Sequence, residues 1–306
     1  MLKIIQSINF FDTFTEFQKR INNVLLKFMM SLPCNENNLI SAMRYSTLFS
    51  GKRFRPLLVY IIGQMFDISK NNLDAPAAAI ECIHAYSLIH DDLPSMDNNN
   101  LRRGKETCHI KFGEANAILA GDALQTLAFS ILSNAIMPNV VLDDRLLMIS
   151  ILAKASGISG MCLGQFMDLN CLNKKIDIKK LEQIYNYKTG SLISAAVHLG
   201  TLSAGESGRI ILPILNRYAS AIGLAFQIQD DILDIIGKSK KTGKYQGLDK
   251  QSKKNTYPIL LGIENSKKRI MELYYEALDA LDILTNQSYN TILLKELANF
   301  IIKRDN

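Results

Sequence analysis

Apolar residues recur every three to four positions through most of the chain, which is the spacing of amphipathic or buried α-helices. The pattern predicts long helices over residues 65–92, 114–136, 142–157, 179–205 and 211–237. No Asn-Gly or Asp-Gly pair joins two alternating segments, as β-hairpins often require. We therefore expect an all-α fold in which the helices form a bundle.

The breaks between the predicted helices are short and polar. They read PCNENN, DNNNLRRGK, NKKIDIKK and, near the end of the pattern, GKSKKTGKYQGLDKQSKKNTYP. None is long or distinct enough in composition to join two domains. The chain has 306 residues and is 48% hydrophobic, which is enough to bury one large core. We expect residues 1–306 to form a single domain.

Charge and cysteine content narrow the function classes. The formal charge is +6, and it is concentrated in GKRFR, LRRGK and KSKKTGK. Such clusters suit small phosphorylated ligands better than nucleic acid, for which a basic stripe with interleaved aromatics is typical. Five scattered cysteines without CxxC spacing favour neither a disulfide framework nor a zinc site, and they fit a cytoplasmic location. Without 18 uninterrupted apolar residues, we expect no membrane insertion.

Two clusters of aspartate interrupt the apolar pattern, DDLPSMD at 91–97 and DDILD at 230–234. In the second cluster Gln227, Asp230, Asp231 and Asp234 follow at i, i+3, i+4 and i+7, which places them on one helical face. Two unit charges about 4 Å apart repel by roughly 4 kcal/mol at an effective dielectric near 20. The clusters therefore predict a bound cation.

In the first cluster Asp91 and Asp97 are six residues apart and would diverge on a straight helix. Pro94 favours a bend that lets the two carboxylates converge. Oxygen ligands with room for water and phosphate are what Mg²⁺ prefers. A single acidic pair is more often a solvated helix start, which is our interpretation of Asp143 and Asp144. Two clusters, each ending an apolar helix and preceding a basic loop, favour magnesium.

Two basic segments complete this chemistry. Arginine presents a planar fork to phosphate oxygens, while lysine acts as a compact charge. Each residue alone could be solvated surface, but beside paired carboxylates the set indicates a bound diphosphate. The segments contain Lys52, Arg53, Arg55, Arg102, Arg103 and Lys105.

In order and spacing, HDDLPSMDNNNLRRG, GKRFRP, YKTG, GQFMDL, FQIQDDILD and GKYQG resemble the trans-isoprenyl diphosphate synthases, and among them the bacterial enzymes that make farnesyl diphosphate. The resemblance covers about residues 40–260. It implies an all-α homodimer of the isoprenoid synthase type with a central active-site cavity. It also implies a prenyltransferase that condenses isopentenyl diphosphate with dimethylallyl and geranyl diphosphate to give (2E,6E)-farnesyl diphosphate. The expected cofactor is Mg²⁺, three ions per active site, with Mn²⁺ able to substitute.

The resemblance also implies roles for particular residues. The metal ligands would be Asp91, Asp97 and Asp230. The allylic diphosphate would contact Arg102, Lys188 and Lys244. Isopentenyl diphosphate would be held by Lys52, Arg55, His84 and Arg103. The reaction space would be lined by Thr189, Phe226 and Gln227, so that the catalytic set is Lys188, Thr189, Gln227 and Lys244. Lys244 lies in a lysine-rich loop that we interpret as a lid.

The mechanism implied by these charges is electrostatic. Metal ions and basic side chains would stabilise diphosphate as it leaves the allylic carbon. The double bond of isopentenyl diphosphate, held close and oriented, would attack the resulting cation. The released diphosphate would take the proton, so the protein needs no dedicated base.

Product length is expected to depend on Tyr86 and Ser87, which precede the first aspartate by five and four residues. The bulk of Tyr86 and the longer form of the first motif imply a C15 product. Helix periodicity alone favours Ser87 as the residue in line with Asp91, so the Tyr86 role depends on the resemblance. The chain departs from its relatives at Asn98–Asn100, where they tend to carry aspartates, but both ends of the motif are intact and activity is expected.

Three other functions fit part of the sequence. A terpene cyclase would share the fold and the ionisation step but would leave GKRFRP and the second aspartate motif unexplained. A metal phosphohydrolase of the HD type could use His84 and His90-Asp91, but it leaves DDILD without a role. A noncatalytic helical scaffold would bind no diphosphate in a Mg²⁺-dependent way.

Overall fold

The computed structural model describes residues 9–33, 37–48, 51–236 and 254–304. The α-helices are α1 Phe10–Met30, α2 Asn38–Leu48, α3 Phe54–Met65, α4 Lys70–Asp91, α5 Cys108–Phe112, α6 Glu114–Asn134, α7 Leu142–Ser156, α8 Met161–Asn170, α9 Ile178–Tyr185, α10 Ser191–Leu202, α11 Glu206–Ile236, α12 Tyr257–Leu261, α13 Ile263–Asn286 and α14 Ile292–Lys303. A π-helix, Asn186–Gly190, joins α9 to α10. Strands β1 Leu101–Arg102 and β2 Lys105–Glu106 form one antiparallel hairpin.

The all-α prediction is confirmed. Helices α6, α7 and α11 match the predicted segments 114–136, 142–157 and 211–237 to within a few residues. The segment predicted at 65–92 begins later, at Lys70, because the chain turns through Asp67 with a left-handed φ of 55°. The segment at 179–205 is interrupted by the π-helix, and the short hairpin was not predicted.

Local sequence explains where the helices begin and which face they bury. Asn9 accepts a hydrogen bond from the backbone N–H of Phe11 and so caps α1. Asp177 caps α9 in the same way through the N–H of Lys180, at 2.7 Å. In α1, buried residues recur at intervals of four, including Phe17 and Ile21. This spacing produces one apolar stripe, which packs on α2, α3 and α4.

Helix α10 lies at the centre of the bundle. Its residues are apolar almost all round, and it packs against α3, α4, α7 and α11. A helix that is apolar on every face is stable only when neighbours cover every face. Apolar side chains from α1 through α14 join one buried core. The single domain over residues 1–306 stays a prediction, because part of the chain lies outside the described ranges.

By length and composition alone, three helical stretches could cross a membrane: α6, Leu142–Asn170 and α11. In the bundle, α11 packs on α10 and α13. Its end carries Asp230, Asp231 and Asp234, which line a large cavity. The polar end of α11 therefore forms part of the cavity wall.

Candidate active site

An open cavity of about 1730 Å³ lies in the helical bundle. Its walls are formed by the ends of α4 and α11, the start of α3, the β-hairpin, α8 and the π-helix. Of the predicted site residues that the structure describes, all line this cavity. They are Lys52, Arg55, His84, Tyr86, Ser87, Asp91, Asp97, Arg102, Arg103, Lys188, Thr189, Phe226, Gln227 and Asp230. Lys244 lies outside the described residues, so its predicted contact and the lid containing it stay predictions.

The first aspartate cluster forms a tight turn after α4. Helix α4 ends at Asp91, and the backbone N–H of Asp97 donates to the carbonyl of Asp91 at 2.9 Å. This hydrogen bond closes the turn that contains Pro94. The carboxylates of Asp91 and Asp97 both line the cavity and interact electrostatically with each other. They converge, as the sequence predicts.

The two adjacent aspartates at the end of α4 have different surroundings. Asp92 is buried and accepts two hydrogen bonds from Arg102, at 2.7 and 2.8 Å. Asp91 faces the cavity, where burial raises the pKa of its carboxyl above the ordinary value, although Lys188 opposes the shift. A buried carboxylate with a raised pKa is stabilised by added positive charge. A cation bound near Asp91 would therefore stabilise its charged form.

Asp97 is paired with the side chain of a lysine. Lys254 donates to both of its carboxylate oxygens, at 2.9 Å each. Burial would raise the pKa of Asp97, but Lys254, Lys188 and Arg102 outweigh it and the pKa is lowered. Lys254 was not predicted from the sequence, because it lies 157 positions from Asp97 in a lysine-rich segment where no spacing singles it out.

The second aspartate cluster divides into two environments. The side chain of Asp230 is 45% exposed and pairs with Arg304 at 2.6 Å. Asp231 is only 3% exposed, and it accepts hydrogen bonds from Tyr185 and from the backbone N–H of Tyr257. The four residues predicted to share one helical face, Gln227, Asp230, Asp231 and Asp234, all line the cavity, but the carboxylate of Asp231 is the more enclosed.

Arg304 is fixed at the end of the chain by several contacts. Its guanidinium lies 3.9 Å from the ring centroid of Phe226 and donates to the carbonyl of Phe226 at 2.7 Å. Its own carbonyl accepts from Gln229 at 3.1 Å. Sequence reasoning missed Arg304, since a single arginine in the last turn of a chain gives no pattern.

The predicted isopentenyl diphosphate residues form a basic pocket. Burial and the neighbouring Arg304 lower the pKa of Lys52. Burial also lowers the pKa of Arg103, with the charge of Arg102 adding to the shift. Basic side chains held this close together are stabilised in their charged forms by a bound anion. The Nε donor of Arg55 is buried without a hydrogen-bond partner among the described residues, and a phosphate oxygen would satisfy it.

His84 lies in the same pocket as a neutral side chain. Burial, followed by the charges of Arg55 and Arg103, lowers its pKa well below the ordinary value. At neutral pH its imidazole therefore carries no charge and can donate one N–H to an anion. The isolated histidine of the sequence thus faces the cavity and not the apolar core.

A buried ion pair that the sequence reasoning missed supports this pocket. Arg53 and Glu81 contact each other at 2.6 Å, with side chains 5% and 4% exposed. Arg53 also donates to Asn22 at 2.9 Å. Glu81 stands alone in the apolar stretch AAAIECIHA, and a charge in such a stretch is the signal that could have identified it. It supplies negative charge among several arginines.

The π-helix carries Lys188 and Thr189 of the YKTG segment into the cavity. π-Helical turns are uncommon and often mark functional positions. A Cβ added at Gly164 would lie 2.1 Å from the backbone nitrogen of Lys188, so glycine there allows α8 to approach the π-helix. Lys188 then pairs with Asp168 of α8 at 2.6 Å, while Thr189 donates to Gln227 at 2.8 Å. Asp168 was not predicted.

Tyr86 and Ser87 occupy the α4 wall of the cavity. Tyr86 is 6% exposed, its hydroxyl lies 3.9 Å from the sulfur of Cys162, and its ring meets His90 edge to face. Ser87 donates to the carbonyl of His84 at 2.9 Å. Both residues line the cavity, and their role in product length stays a prediction.

Asp143 and Asp144 lie in the first turn of α7, as predicted, but the prediction that both are solvated is wrong for Asp144, which is only 2% exposed. Neither lines the cavity. Asp144 pairs with Arg209, while Val141 occupies the N-cap position. These two aspartates therefore have a structural role in the bundle.

The carboxylates of the cavity fit a hard divalent cation. Oxygen ligands come from two separate elements, the turn after α4 and the end of α11. Among the residues that the structure describes, no group of three or more His, Cys, Asp or Glu side chains is close enough to hold a metal by itself. Mg²⁺ commonly uses one or two carboxylates together with phosphate oxygens, so this donor set suits metal bound jointly with a diphosphate.

Comparison with known proteins gives a family match and close relatives. Residues 36–291 match the model of a family described as polyprenyl synthetase. Farnesyl diphosphate synthase of Escherichia coli (strain K12) is 57% identical, over 94% of this chain and 96% of that protein. Farnesyl diphosphate synthase of Buchnera aphidicola subsp. Schizaphis graminum is 47% identical, over 97% and 99%.

A solved structure has a similar fold over the same length of chain. The geranyltransferase from Helicobacter pylori, complexed with magnesium and isoprenyl diphosphate, superposes with a TM-score of 0.83 at 34% identity. The match covers 97% of this chain and 97% of that one. The likeness therefore extends over nearly the whole fold.

Proposed function

The chain belongs to the polyprenyl synthetase family, and we propose that it condenses isopentenyl diphosphate with dimethylallyl and then geranyl diphosphate to give (2E,6E)-farnesyl diphosphate. One observation carries the proposal beyond the family: both aspartate motifs and the basic pocket line the same cavity. This arrangement provides places for two diphosphates side by side. A terpene cyclase would have no use for the second place.

The allylic diphosphate binds between the two aspartate motifs. Asp91, Asp97 and Asp230 would hold Mg²⁺, which would supply Lewis-acid stabilisation of the negative charge that develops on the leaving diphosphate. We propose three ions per site and that Mn²⁺ substitutes. Lys188, whose pKa the carboxylates of Asp168 and Asp91 raise against the effect of burial, stays charged and contacts the same diphosphate. Arg102 and Lys244 complete its cationic surroundings.

Isopentenyl diphosphate binds in the basic pocket. Lys52, Arg55 and Arg103 neutralise its charge. The uncharged imidazole of His84 donates a hydrogen bond to it. Arg103 has a left-handed φ of 52°, and strained backbone of this kind persists where the surroundings hold it in place. The rigid pocket orients the double bond toward the allylic carbon.

The reaction then proceeds in three changes of bonding. The C–O bond of the allylic diphosphate breaks, the isopentenyl double bond forms the new C–C bond, and a proton leaves to the released diphosphate. Thr189, Phe226 and Gln227 surround the reacting carbons. The stacked rings of Phe54 and Phe226, 4.9 Å apart, help to exclude water from the cation. Tyr86, with Ser87, limits the product to C15.

We further propose a cytoplasmic homodimer that binds no nucleic acid and does not insert into a membrane. Exposed apolar side chains on α6 and α7 support the dimer, including Leu119, Leu142 and Leu146, which are 53%, 75% and 64% exposed. Helices α6 and α7 pack on each other. Several exposed large apolar side chains on two neighbouring helices are typical of a subunit interface.

Incubation with dimethylallyl and isopentenyl diphosphates plus Mg²⁺, followed by chromatography of the dephosphorylated alcohols, tests the proposal. We expect farnesol as the main product, and none when isopentenyl diphosphate is omitted. A cyclic hydrocarbon formed without isopentenyl diphosphate would indicate a cyclase. Phosphate release without condensation would indicate a phosphohydrolase, and absence of any reaction would favour the scaffold.

A further inference from the structure

Asp231 and its neighbour Asp230 both line the cavity, but their surroundings differ. Whereas Asp230 is half exposed, the carboxylate of Asp231 is buried and connects three segments. It accepts from the hydroxyl of Tyr185 on α9, from the side-chain amide of Gln227 on α11 at 3.1 Å, and from the backbone N–H of Tyr257 at 3.0 Å. Both carboxylate oxygens take part.

The direction of these hydrogen bonds fixes the amide of Gln227. Because Oδ1 of Asp231 acts as the acceptor, Gln227 presents its Nε2 group and not its oxygen. The oxygen Oε1 of Gln227 is therefore turned toward Thr189, whose hydroxyl lies 2.8 Å away. An amide oxygen only accepts, so the Thr189 hydroxyl donates to it. The lone pairs of Thr189 then remain for the cavity that this residue lines.

This direction matters for the ionisation step. When the allylic C–O bond breaks, positive charge develops on carbon, and a hydroxyl oxygen facing that carbon stabilises it. If the Gln227 amide were reversed, Thr189 would accept from it and would turn its own hydrogen toward the cation. Dipoles that are oriented before the reaction are among the largest contributions to catalysis.

We propose that Asp231 is a positioning residue that sets the hydrogen-bond direction of the Gln227–Thr189 pair, and that it is not a metal ligand. The inference depends on the proposed prenyl transfer. The same carboxylate holds the backbone at Tyr257, three residues beyond Lys254, and so also fixes the segment that brings Lys254 to Asp97.

Asp231→Asn tests the proposal with little change in shape. The Asn oxygen can still accept from Tyr185 and Tyr257, but its NH₂ group faces Gln227 and forces that amide to reverse. We expect kcat for farnesyl diphosphate formation to fall by about tenfold or more, while KM for both substrates changes by less than about threefold. Mg²⁺-dependent binding of pyrophosphate, measured by calorimetry, should stay within about twofold of the wild type.

Two further variants separate positioning from general damage. In Gln227→Glu/Asp231→Asn, the Glu carboxylate accepts from the Asn NH₂ group and from Thr189, so the original direction returns. We expect its kcat to exceed that of Asp231→Asn by about fivefold or more. Asp230→Asn serves as the comparison for metal binding and should weaken Mg²⁺-dependent pyrophosphate binding by about tenfold or more.

Failure of the inference and failure of the proposed function give different results. If the wild type forms farnesyl diphosphate but Asp231→Asn is equally active, or the double variant shows no recovery, the inference is wrong. It is also wrong if Asp231→Asn loses Mg²⁺-dependent pyrophosphate binding as Asp230→Asn does. A wild type without condensation product would overturn the proposed function and the inference with it.

Discussion

At the scale of single residues, burial separates neighbouring side chains that the sequence presents as equivalent. Asp91 and Asp92 are adjacent, yet one faces the cavity and the other pairs with Arg102. Asp230 and Asp231 both line the cavity, but they also differ, since the side chain of Asp230 is 45% exposed and Asp231 is only 3% exposed. Residue type and spacing identify such clusters. They do not determine which member is turned inward, because that depends on partners from distant parts of the chain.

His84 should make stability depend on pH. Its folded-state pKa lies below the ordinary value of 6.5, so between these two values the unfolded chain binds more protons than the folded one. The contribution of His84 is fully present above pH 6.5 and is lost as the pH falls toward the folded pKa. Urea denaturation of the wild type should therefore show the free energy of unfolding decreasing below about pH 6.5.

His84→Gln should reduce that slope without removing it, because burial also lowers the pKa of His198. Equal slopes in the variant and the wild type would contradict the neutral, buried state of His84.

Tyr86 should limit product length through the bulk of its ring. Tyr86→Ala opens the α4 wall of the cavity, and we expect products of C20 and longer to become comparable in amount to C15, as measured by chromatography. Tyr86→Phe keeps the ring and removes only the hydroxyl that lies near Cys162, so its product should stay at C15. An unchanged C15 profile in Tyr86→Ala would count against the assigned role.

At the scale of elements, periodicity predicts most of the helices, because burial of an apolar face determines where a helix is stable. The matches of α6, α7 and α11 follow from this rule. The π-helix at Asn186–Gly190 does not, since it adds one residue to a turn within a pattern that otherwise continues. The sequence identified Lys188 and Thr189 only through a resemblance, and the π-helix explains how both reach the cavity.

The close approach of α8 to the π-helix gives a prediction for Gly164. Gly164→Ala places a methyl group against the backbone of Lys188, which must move and should displace the lysine. We expect the melting temperature to fall by several degrees, as for about 1–3 kcal/mol of overpacking, and kcat/KM to fall by about tenfold or more.

Gly190→Ala is the matched control for Gly164. Gly190 lies in the π-helix that Gly164 of α8 contacts, but the nearest neighbour is 3.6 Å from a Cβ added at Gly190. Stability should therefore stay within about 1 kcal/mol of the wild type. Equal effects of the two substitutions would contradict this account of how Lys188 is positioned.

At the scale of the whole molecule, the cavity combines residues that are far apart in the chain. Lys254 and Arg304 reach the two aspartate motifs from the C-terminal part of the chain, and no local pattern predicts either contact. Apolar periodicity predicted the fold class and the basic segments indicated a diphosphate, while the family resemblance gave the reaction and the roles of individual residues. The supporting contacts of Glu81, Asp168 and Asp231 emerged only from the packing of the helices.

The exposed apolar face of α6 and α7 predicts a dimer of the 34.3 kDa chain. Sedimentation equilibrium should give about twice the mass of one chain. Leu142→Glu/Leu146→Glu places charges in the proposed interface and should shift the equilibrium to monomer. Tyr275→Glu, on the exposed side of α13, is the control and should stay dimeric. A wild type that sediments as a monomer would contradict the proposed interface.

In the proposed function, two separate sets of carboxylates hold one diphosphate through divalent cations. Calorimetric titration of the protein with pyrophosphate, with and without Mg²⁺, tests it most directly. We predict binding that depends on Mg²⁺ and that falls by about tenfold or more in Asp91→Asn and, separately, in Asp230→Asn. Binding that is equally strong without Mg²⁺, or that is unchanged when either aspartate is replaced, would contradict the claim.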